Sequence, residues 1–546
     1  MDYVIGVDFD NTIVSYDEVF HHVALQKGLI PAGTLKRKME IRDRIRKLSA
    51  GETTWIRLQG IVYGKFMQRA EIMPGVANFL LQCKVRNHSV FIVSHKTEYG
   101  HFDCDNVSLR QEALKWMESK RFFDPQYYGL KRENVFFAST RAEKARTIAE
   151  LGCNYFIDDL PEVFANEEFP AGTRKVLLGR LDPMETSCDV KPVSDWAEAS
   201  NHVLGPATDD DVAMWASVVA GRPIESIVRV LGRGNSRIYK VVATDGKRFA
   251  LKHYPGRLAD ARPRLKTEFN ALQFLRKQSV ATVPMAVEMD GGLNLGFYEW
   301  IEGAPVTRPA LADLRQAVDF VERLHSLSRE AGANGIGMAS EACLSANELI
   351  NQVEERLRRL RAQCGGFPGL ANFLAHTFEP LWEEVEEISW HLWPTETREG
   401  SLPRGKQTLS PSDFGFHNAL RNDGKITFID FEYFGWDDPV KLTADFLWHP
   451  AMELNPEISA QWEKAMLGLF SGDPDFAVRL HAAMPLYGLR WAMIVLNEFL
   501  PGLSERRRDA GGAYCRDPDE ARDIQLGKAK RYCERVKQSI PTLTVA

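Results

Sequence analysis

LSPSDFGFHNALRNDGKITFIDF, residues 409–431, places a carboxylate (Asp413) five positions before an amide (Asn418). It then delivers a second carboxylate, Asp430, at the end of the β-like run ITFID. Metal-dependent phosphoryl transfer to a hydroxyl needs this set. One carboxylate orients the attacking oxygen, while an amide oxygen and a second carboxylate hold Mg²⁺ on the nucleotide phosphates. The same residue types also serve as turn formers in a polar hairpin, so the rest of the chain has to decide between the two readings.

Upstream, the complementary pieces occur in order. VLGRGNSRIYKV (230–241) sets Gly232 and Gly234 between β-prone segments, where backbone amides can approach phosphates, although such a pair is as often an ordinary turn. RFALKHY alternates apolar and polar residues and carries Lys252; sixteen positions on, the helical pattern RLKTEFNALQFLRK carries Glu268 beside a stripe of Leu265, Phe269, Leu272 and Leu275. A lysine that grips phosphates needs a helix glutamate to hold its ammonium. GFYEWIEG (296–303) reads as a strand running into a hinge, where the backbone around Glu299 and Ile301 would meet an adenine ring.

From about Arg222 onward these motifs resemble the aminoglycoside phosphotransferase and choline kinase family, the small-molecule branch of the protein-kinase-like fold. The resemblance implies a bilobal α+β domain over 222–546, with an N-lobe at 222–303 and a helical C-lobe at 304–546. It implies ATP as co-substrate, Asp413 as catalytic base, Asn418 and Asp430 as Mg²⁺ ligands, Lys252 on the phosphates and Glu268 as its partner. The chain departs from the family where Ser410-Pro411-Ser412 stands in place of the His-Gly before the catalytic aspartate. Asp437, Asp438 and Asp445 read as helix-capping or bracing residues. FEYFGWDDP passes straight into a helix with no Ser or Thr on the way, which favours a small hydroxyl compound over a protein as acceptor.

The opening strand forms a second chemical site. MDYVIGVDFDNTIV ends a hydrophobic run in Asp8 and Asp10, followed by Thr12. Two carboxylates at the carboxyl end of a first strand lie where open parallel sheets bind ligands. One can attack phosphorus while the other protonates the leaving oxygen, provided that a cation suppresses their repulsion. SVFIVSHKT then supplies Ser94, TRAEKARTIAELG supplies Lys144, and CNYFIDD ends in Asp158 and Asp159. This order resembles the haloacid dehalogenase superfamily over 1–180, a doubly wound Rossmann-like α/β domain. The resemblance implies Asp8 as phosphoaspartyl nucleophile, Asp10 as general acid/base, and Ser94 and Lys144 on the phosphoryl group. Mg²⁺ would be held by Asp158 and Asp159 with Asp8 and Asp10. Lys96 is the alternative to Lys144, and the sequence does not choose between them. Helical periodicity over 13–73 reads as a cap over this site. The Pro-, Asp- and Ser-rich stretch 181–221 reads as a linker, with a short helix around Asp210 to Val219.

A chain of 546 residues is too long for one core. Its 44% hydrophobic and 26% charged content is that of a globular protein, and a net charge of −6 argues against a nucleic-acid-binding surface as the main function. Eight cysteines without CxxC spacing indicate neither zinc nor a disulfide framework. The most apolar later stretch, MPLYGLRWAMIVLNEFL, is interrupted by Arg490 and Glu498 and reads as a packed helix rather than a membrane span. The expectation is a cytoplasmic enzyme with small-molecule substrates and no membrane insertion; the sequence leaves its oligomeric state open. Two opposed activities acting on one position would only hydrolyse ATP. The two should therefore act at different positions or on different intermediates; the expected function is phosphorylation of a sugar- or polyol-type metabolite by one domain and ester hydrolysis by the other, with a nucleotide or amino-alcohol substrate left open. The alternative is an active phosphatase whose kinase-like half only binds nucleotide and regulates.

Overall fold

The computed structural model describes residues 2–101, 106–179, 189–230, 236–254, 262–452, 454–500 and 517–543. The chain divides into two units, one built chiefly on Met1–Ile227 and the other chiefly on Gly296–Ala546 with Val228–Pro255 and Ala261–Met289.

The first unit holds a six-stranded parallel sheet in the order Val135–Ala138, Ser89–His95, Val4–Val7, Tyr155–Asp158, Arg174–Leu178, Val190–Val193. Numbered along the chain this order is 3-2-1-4-5-6, the doubly wound arrangement whose ligand crevice opens where the order reverses, beside the first strand. Helices cover both faces of such a sheet, so its central strands are buried on both sides. Ile5, Val7, Ile92, Val93, Phe156 and Ile157 are accordingly all core residues.

After the first strand the chain leaves the sheet through a two-rung antiparallel pair, Val14 with Ile72 and Ser15 with Glu71. Three helices, Asp17–Gln26, Lys38–Arg46 and Gly51–Tyr63, lie between the two halves of that pair. The Phe20 and Trp55 rings stack with centres 4.9 Å apart and tie the first of these helices to the third.

The stretch 181–221, expected as a linker with one short helix near Asp210 to Val219, holds that helix and two further elements where it is described. Val190–Val193 forms the sixth strand, and Trp196–Leu204 and Asp209–Ala220 are helices. Trp196 is buried, and its Nε1 donates to the Thr12 carbonyl at 2.8 Å. A four-residue edge strand that contains Pro192 gives almost no periodicity, which hides it in the sequence.

In the second unit a five-stranded sheet runs in the order Ala286–Asp290, Leu295–Glu299, Arg248–His253, Arg237–Ala243, Ile224–Val230. The helix Arg264–Lys277 buries Leu265, Glu268, Phe269, Leu272 and Leu275 on one face, as its spacing predicts. Farther along, the hairpin Ala419–Asn422/Lys425–Phe428 turns at Asp423-Gly424, both with positive φ, the Asp-Gly pairing that two-residue hairpin turns favour. The rest is mainly helical, with Leu311–Leu327, Ala346–Arg361, Glu379–Leu392, Pro439–Trp448, Pro456–Leu469, Phe476–Val495 and Pro518–Leu543. Among the described residues no helix is long and apolar enough to cross a membrane.

Candidate functional site

Each unit gathers one set of reactive side chains. In the first, Asp8, Ser94 and Asp158 stand at the carboxyl ends of three adjacent strands. Thr140 caps the helix Arg141–Glu150, its hydroxyl accepting from the Glu143 N–H, and Lys144 follows one turn inside. From there Lys144 Nζ donates to Asp8 Oδ1 and to Asp158 Oδ2, both at 2.6 Å. Asp159 accepts from the Thr12 hydroxyl at 3.3 Å. Oxygens of Asp8, Asp158 and Asp159 lie within 4.8 Å of one another.

Burial pushes Asp8 up to about 7 against the pull of Lys144, with Asp158 and Asp10 adding to the rise. Burial followed by the charge of Asp8 pushes Asp159 up to about 7 as well. Asp158 is also raised, again by burial first. Buried carboxylates crowded in this way are the donors a hard divalent cation accepts. The Ser94 hydroxyl is buried and, among the described residues, meets no hydrogen-bond partner, as a group that waits for a ligand oxygen would.

The two lysines take different partners. Lys144 reaches Asp8 and Asp158, whereas Lys96 Nζ donates to both oxygens of Asp10, at 2.9 and 2.7 Å. The Tyr16 hydroxyl also donates to Asp10. Sequence reasoning missed Lys38, on the inserted helices, whose Nζ donates to Asn11 Oδ1 at 2.8 Å. Burial lowers the Lys38 pKa, and Asp10 and Asp159 oppose that shift.

The second unit assembles Lys252, Glu268 and Asp430. Lys252 Nζ donates to Glu268 Oε2 and to Asp430 Oδ1, each at 2.7 Å. Glu268 also accepts from the Tyr254 hydroxyl at 2.6 Å and from the Phe431 N–H at 3.3 Å. Asp430 has φ +70°, a left-handed backbone that a non-glycine residue occupies only at a cost, and such strain clusters at functional sites. Glu432, absent from the sequence expectation, pairs with Arg264 and lies 3.8 Å from Lys252; burial and then Asp430 push it up to about 7.

Asp413 accepts from His417 Nε2 at 3.0 Å and faces His449 Nε2 at 3.4 Å. Burial acts to raise its pKa, but the charge and hydrogen bond of His417, backed by His449 and Lys441, outweigh this and hold the carboxyl well below its ordinary range. The Asn418 side-chain amide donates to the Asp413 carbonyl at 3.0 Å, which ties the loop together. Where the sequence lacks His-Gly, the Ser412 N–H donates to Ser410 Oγ at 3.0 Å, and Lys441 Nζ donates to Ser412 Oγ at 2.7 Å. Asp438 caps the helix Pro439–Trp448, accepting from the Val440 N–H, as its bracing role required. Glu299 ends its strand with its carboxylate accepting from the Met285 N–H at 3.1 Å; Ile301 follows in a segment without regular structure. Gly232 and Gly234 lie outside the described residues.

Residues 227–477 match the family described as phosphotransferase enzyme family. A search of curated proteins gives no match. Among solved structures, the chain is similar to a spectinomycin phosphotransferase in complex with ADP and spectinomycin (11% identity, 61% of this chain and 99% of that chain, TM-score 0.42). It is also similar to an amicoumacin kinase in complex with AMP-PNP and Ca²⁺ (15% identity, 60% and 94%, TM-score 0.40). A third similar structure is the choline kinase LicA of Streptococcus pneumoniae (13% identity, 60% and 99%, TM-score 0.40). The family match therefore lies in the C-terminal region of this chain, which over residues 227–477 is similar to the phosphotransferase enzyme family.

Proposed function

We propose that the chain is a two-site enzyme. Its C-terminal region transfers the terminal phosphoryl group of ATP to a hydroxyl of a small sugar- or polyol-type metabolite. Its N-terminal unit hydrolyses a phosphate monoester through a phosphoaspartate, in the manner of the haloacid dehalogenase superfamily.

The observation that carries the first half is the Lys252 ammonium shared by Glu268 and Asp430 at 2.7 Å each, within the region that matches the phosphotransferase family. Lys252 pairs with the nucleotide phosphates, Glu268 keeps it aimed, and Asp413 takes the proton of the attacking hydroxyl. Asn418 and Asp430 would hold Mg²⁺, which supplies charge neutralisation on the phosphates when bound.

The second half is supported by Lys144 bridging Asp8 and Asp158 beside Asp159 at the reversal point of the sheet. Asp8 forms the bond to phosphorus, and Asp10 protonates the departing alkoxide and later takes a proton from the attacking water. Ser94 and Lys144 hold the phosphoryl oxygens. Asp8, Asp158 and Asp159 would hold Mg²⁺, which offsets carboxylate repulsion when bound; Asp10 was expected to join them but is engaged by Lys96.

The test is purified full chain with ATP and Mg²⁺ against sugars, sugar phosphates, polyols and amino alcohols, with ADP and phosphate release scored separately. The reading expects acceptor-dependent ADP release abolished by Asp413→Ala alone and ester hydrolysis abolished by Asp8→Ala alone. ADP release that ignores every acceptor would sink the transferase half, and ester hydrolysis that survives Asp8→Ala would sink the other.

A further inference from the structure

Asp8, Asp10, Asp158 and Asp159 share the end of the N-terminal sheet with three lysines, Lys38, Lys96 and Lys144. The phosphoaspartate chemistry uses Lys144 alone. Two ammonium groups therefore remain without a task in it.

Lys96 is almost fully buried, grips both oxygens of Asp10, and lies 5.1 Å from the centre of the Tyr63 ring. Lys38 Nζ lies 5.6 Å from the centre of the same ring and 5.6 Å from that of Phe20. Both rings belong to the inserted helices. The Lys38 N–H donates to Asp17 Oδ1 at 2.8 Å, which pins the first residue of its helix, and so the base of its side chain, in place. The acceptor that its Nζ does reach, Asn11, is a neutral amide next to Asp10. Asp10, Asp159 and Asp17 attract this partly buried ammonium from beyond ion-pair contact, while the groups that touch it are an amide and ring faces, so an anion brought into contact would compensate it further.

A substrate bearing only the scissile phosphate satisfies Lys144, Ser94 and the cation. It leaves Lys38 without a contacting anion, bonded to Asn11, the residue next to the Asp10 assigned to protonate the leaving oxygen. We propose that Lys38, with Lys96 beside it and Phe20 and Tyr63 as walls, binds a second anionic group on the leaving side of the ester. The substrate class is then a phosphate ester that also carries a carboxylate or a second phosphate, rather than a neutral polyol monophosphate. The assignment rests on the phosphatase reading and narrows it. It also fits a chain that phosphorylates, because a kinase acting on an already phosphorylated sugar produces such a doubly anionic ester.

The experiment measures hydrolysis by the full chain of three probes: glycerol 3-phosphate, neutral beyond its ester; 3-phosphoglycerate, with a carboxylate; and fructose 1,6-bisphosphate, with a second phosphate. Wild type is expected to favour at least one anionic probe over glycerol 3-phosphate by about tenfold or more in kcat/KM, carried by KM. Lys38→Met should collapse that ratio toward one, and Lys38→Arg should recover part of it. Which anionic probe leads tells carboxylate from phosphate. A wild-type ratio near one, or a ratio that Lys38→Met leaves intact, overturns the assignment while Asp8-dependent hydrolysis stands. Hydrolysis that persists in Asp8→Asn overturns the phosphoaspartate reading instead. Calorimetry gives a second readout free of turnover, comparing Asp8→Asn with the double variant that adds Lys38→Met. Anionic probes that bind both proteins equally well, or that bind neither, again overturn the assignment.

Discussion

His417 and His449 lie face to face with ring centres 3.7 Å apart, and both turn Nε2 toward one oxygen, Oδ1 of Asp413. Behind His449, the Ala451 N–H donates to Nδ1 at 3.2 Å. A nitrogen that accepts cannot carry the proton, so the neutral ring bears it on Nε2, the nitrogen that faces Asp413. Burial, then the neighbouring His417, pushes His449 down to about 4, so the neutral ring prevails at pH 7. His417, hydrogen-bonded at 3.0 Å, and the facing His449 both lie on the Oδ1 side of the carboxylate. Replacing His449 by Ala should lower turnover about 10- to 100-fold through lost aim of the carboxylate. Nitrogen-15 NMR of the imidazoles should show one Nε2–H tautomer that vanishes in His449→Gln; a charged or Nδ1–H ring at that position would contradict the arrangement.

The same histidine should make the second unit sensitive to acid. An unfolded histidine titrates near 6.5, so between that value and about 4 the unfolded chain binds the proton and the folded one does not. Stability contributed by neutral His449 is present above pH 6.5 and lost as pH falls. Denaturant midpoints at pH 7 and 5 should converge in His449→Gln relative to wild type.

In the first unit the sign is opposite. Asp8 and Asp159 are raised to about 7, above the value near 4 of an unfolded carboxyl, so stability falls as pH climbs through that window. A divalent cation needs the deprotonated forms. Added Mg²⁺ should therefore stabilise this unit, and raise its melting temperature, more at pH 8 than at pH 5.5; the stabilisation reaches about 2.7 kcal/mol at a hundredfold excess over Kd. Differential scanning calorimetry on wild type and Asp8→Asn checks this, with a smaller Mg²⁺ response expected in the variant.

Lys252 and Glu268 should fail together. Lys252→Ala removes a preorganised charge from the phosphates and should cost about 10²- to 10³-fold in transfer. Glu268→Gln keeps the shape but loosens the ammonium that Asp430 also claims. If the two act as one unit, the double variant is scarcely slower than Lys252→Ala, whereas multiplicative losses in ADP release would show that they act separately.

Arg479 is fully buried and donates to both oxygens of Asp438, at 3.1 Å each, and to Asp473 at 2.7 Å. Arg479→Leu strands a buried carboxylate that also caps the helix Pro439–Trp448, and should cost about 3–5 kcal/mol. Urea unfolding should show the loss, with partial recovery when Asp438→Asn is added.

The elements that carry Lys252, Glu268, Asp8, Asp158 and the Asp413 loop were legible because each is local, a strand or helix whose period and terminal residue are written in a few positions. What sequence could not supply depends on distant packing. Lys38 and Asn11 are 27 positions apart, and His449 meets Asp413 from the far end of another helix. Which carboxylate Lys96 and Lys144 each reach is likewise a matter of tertiary placement rather than of spacing. Val190–Val193 was missed because an edge strand of four residues leaves no pattern to read.

The pair formed by Val14 with Ile72 and Ser15 with Glu71 brings the two ends of the three-helix insertion together at one place. To the sheet, an insertion of any length then looks the same: two chain ends side by side. Closing a longer loop costs little more than closing a short one, so the register of the first strand and the position of Asp8 are insulated from whatever is threaded between those rungs. The helices bearing Lys38, Phe20 and Tyr63 form a cassette. Exchanging it for another insertion changes what surrounds the carboxyl end of the first strand, while the order of the strands beneath stays as it is.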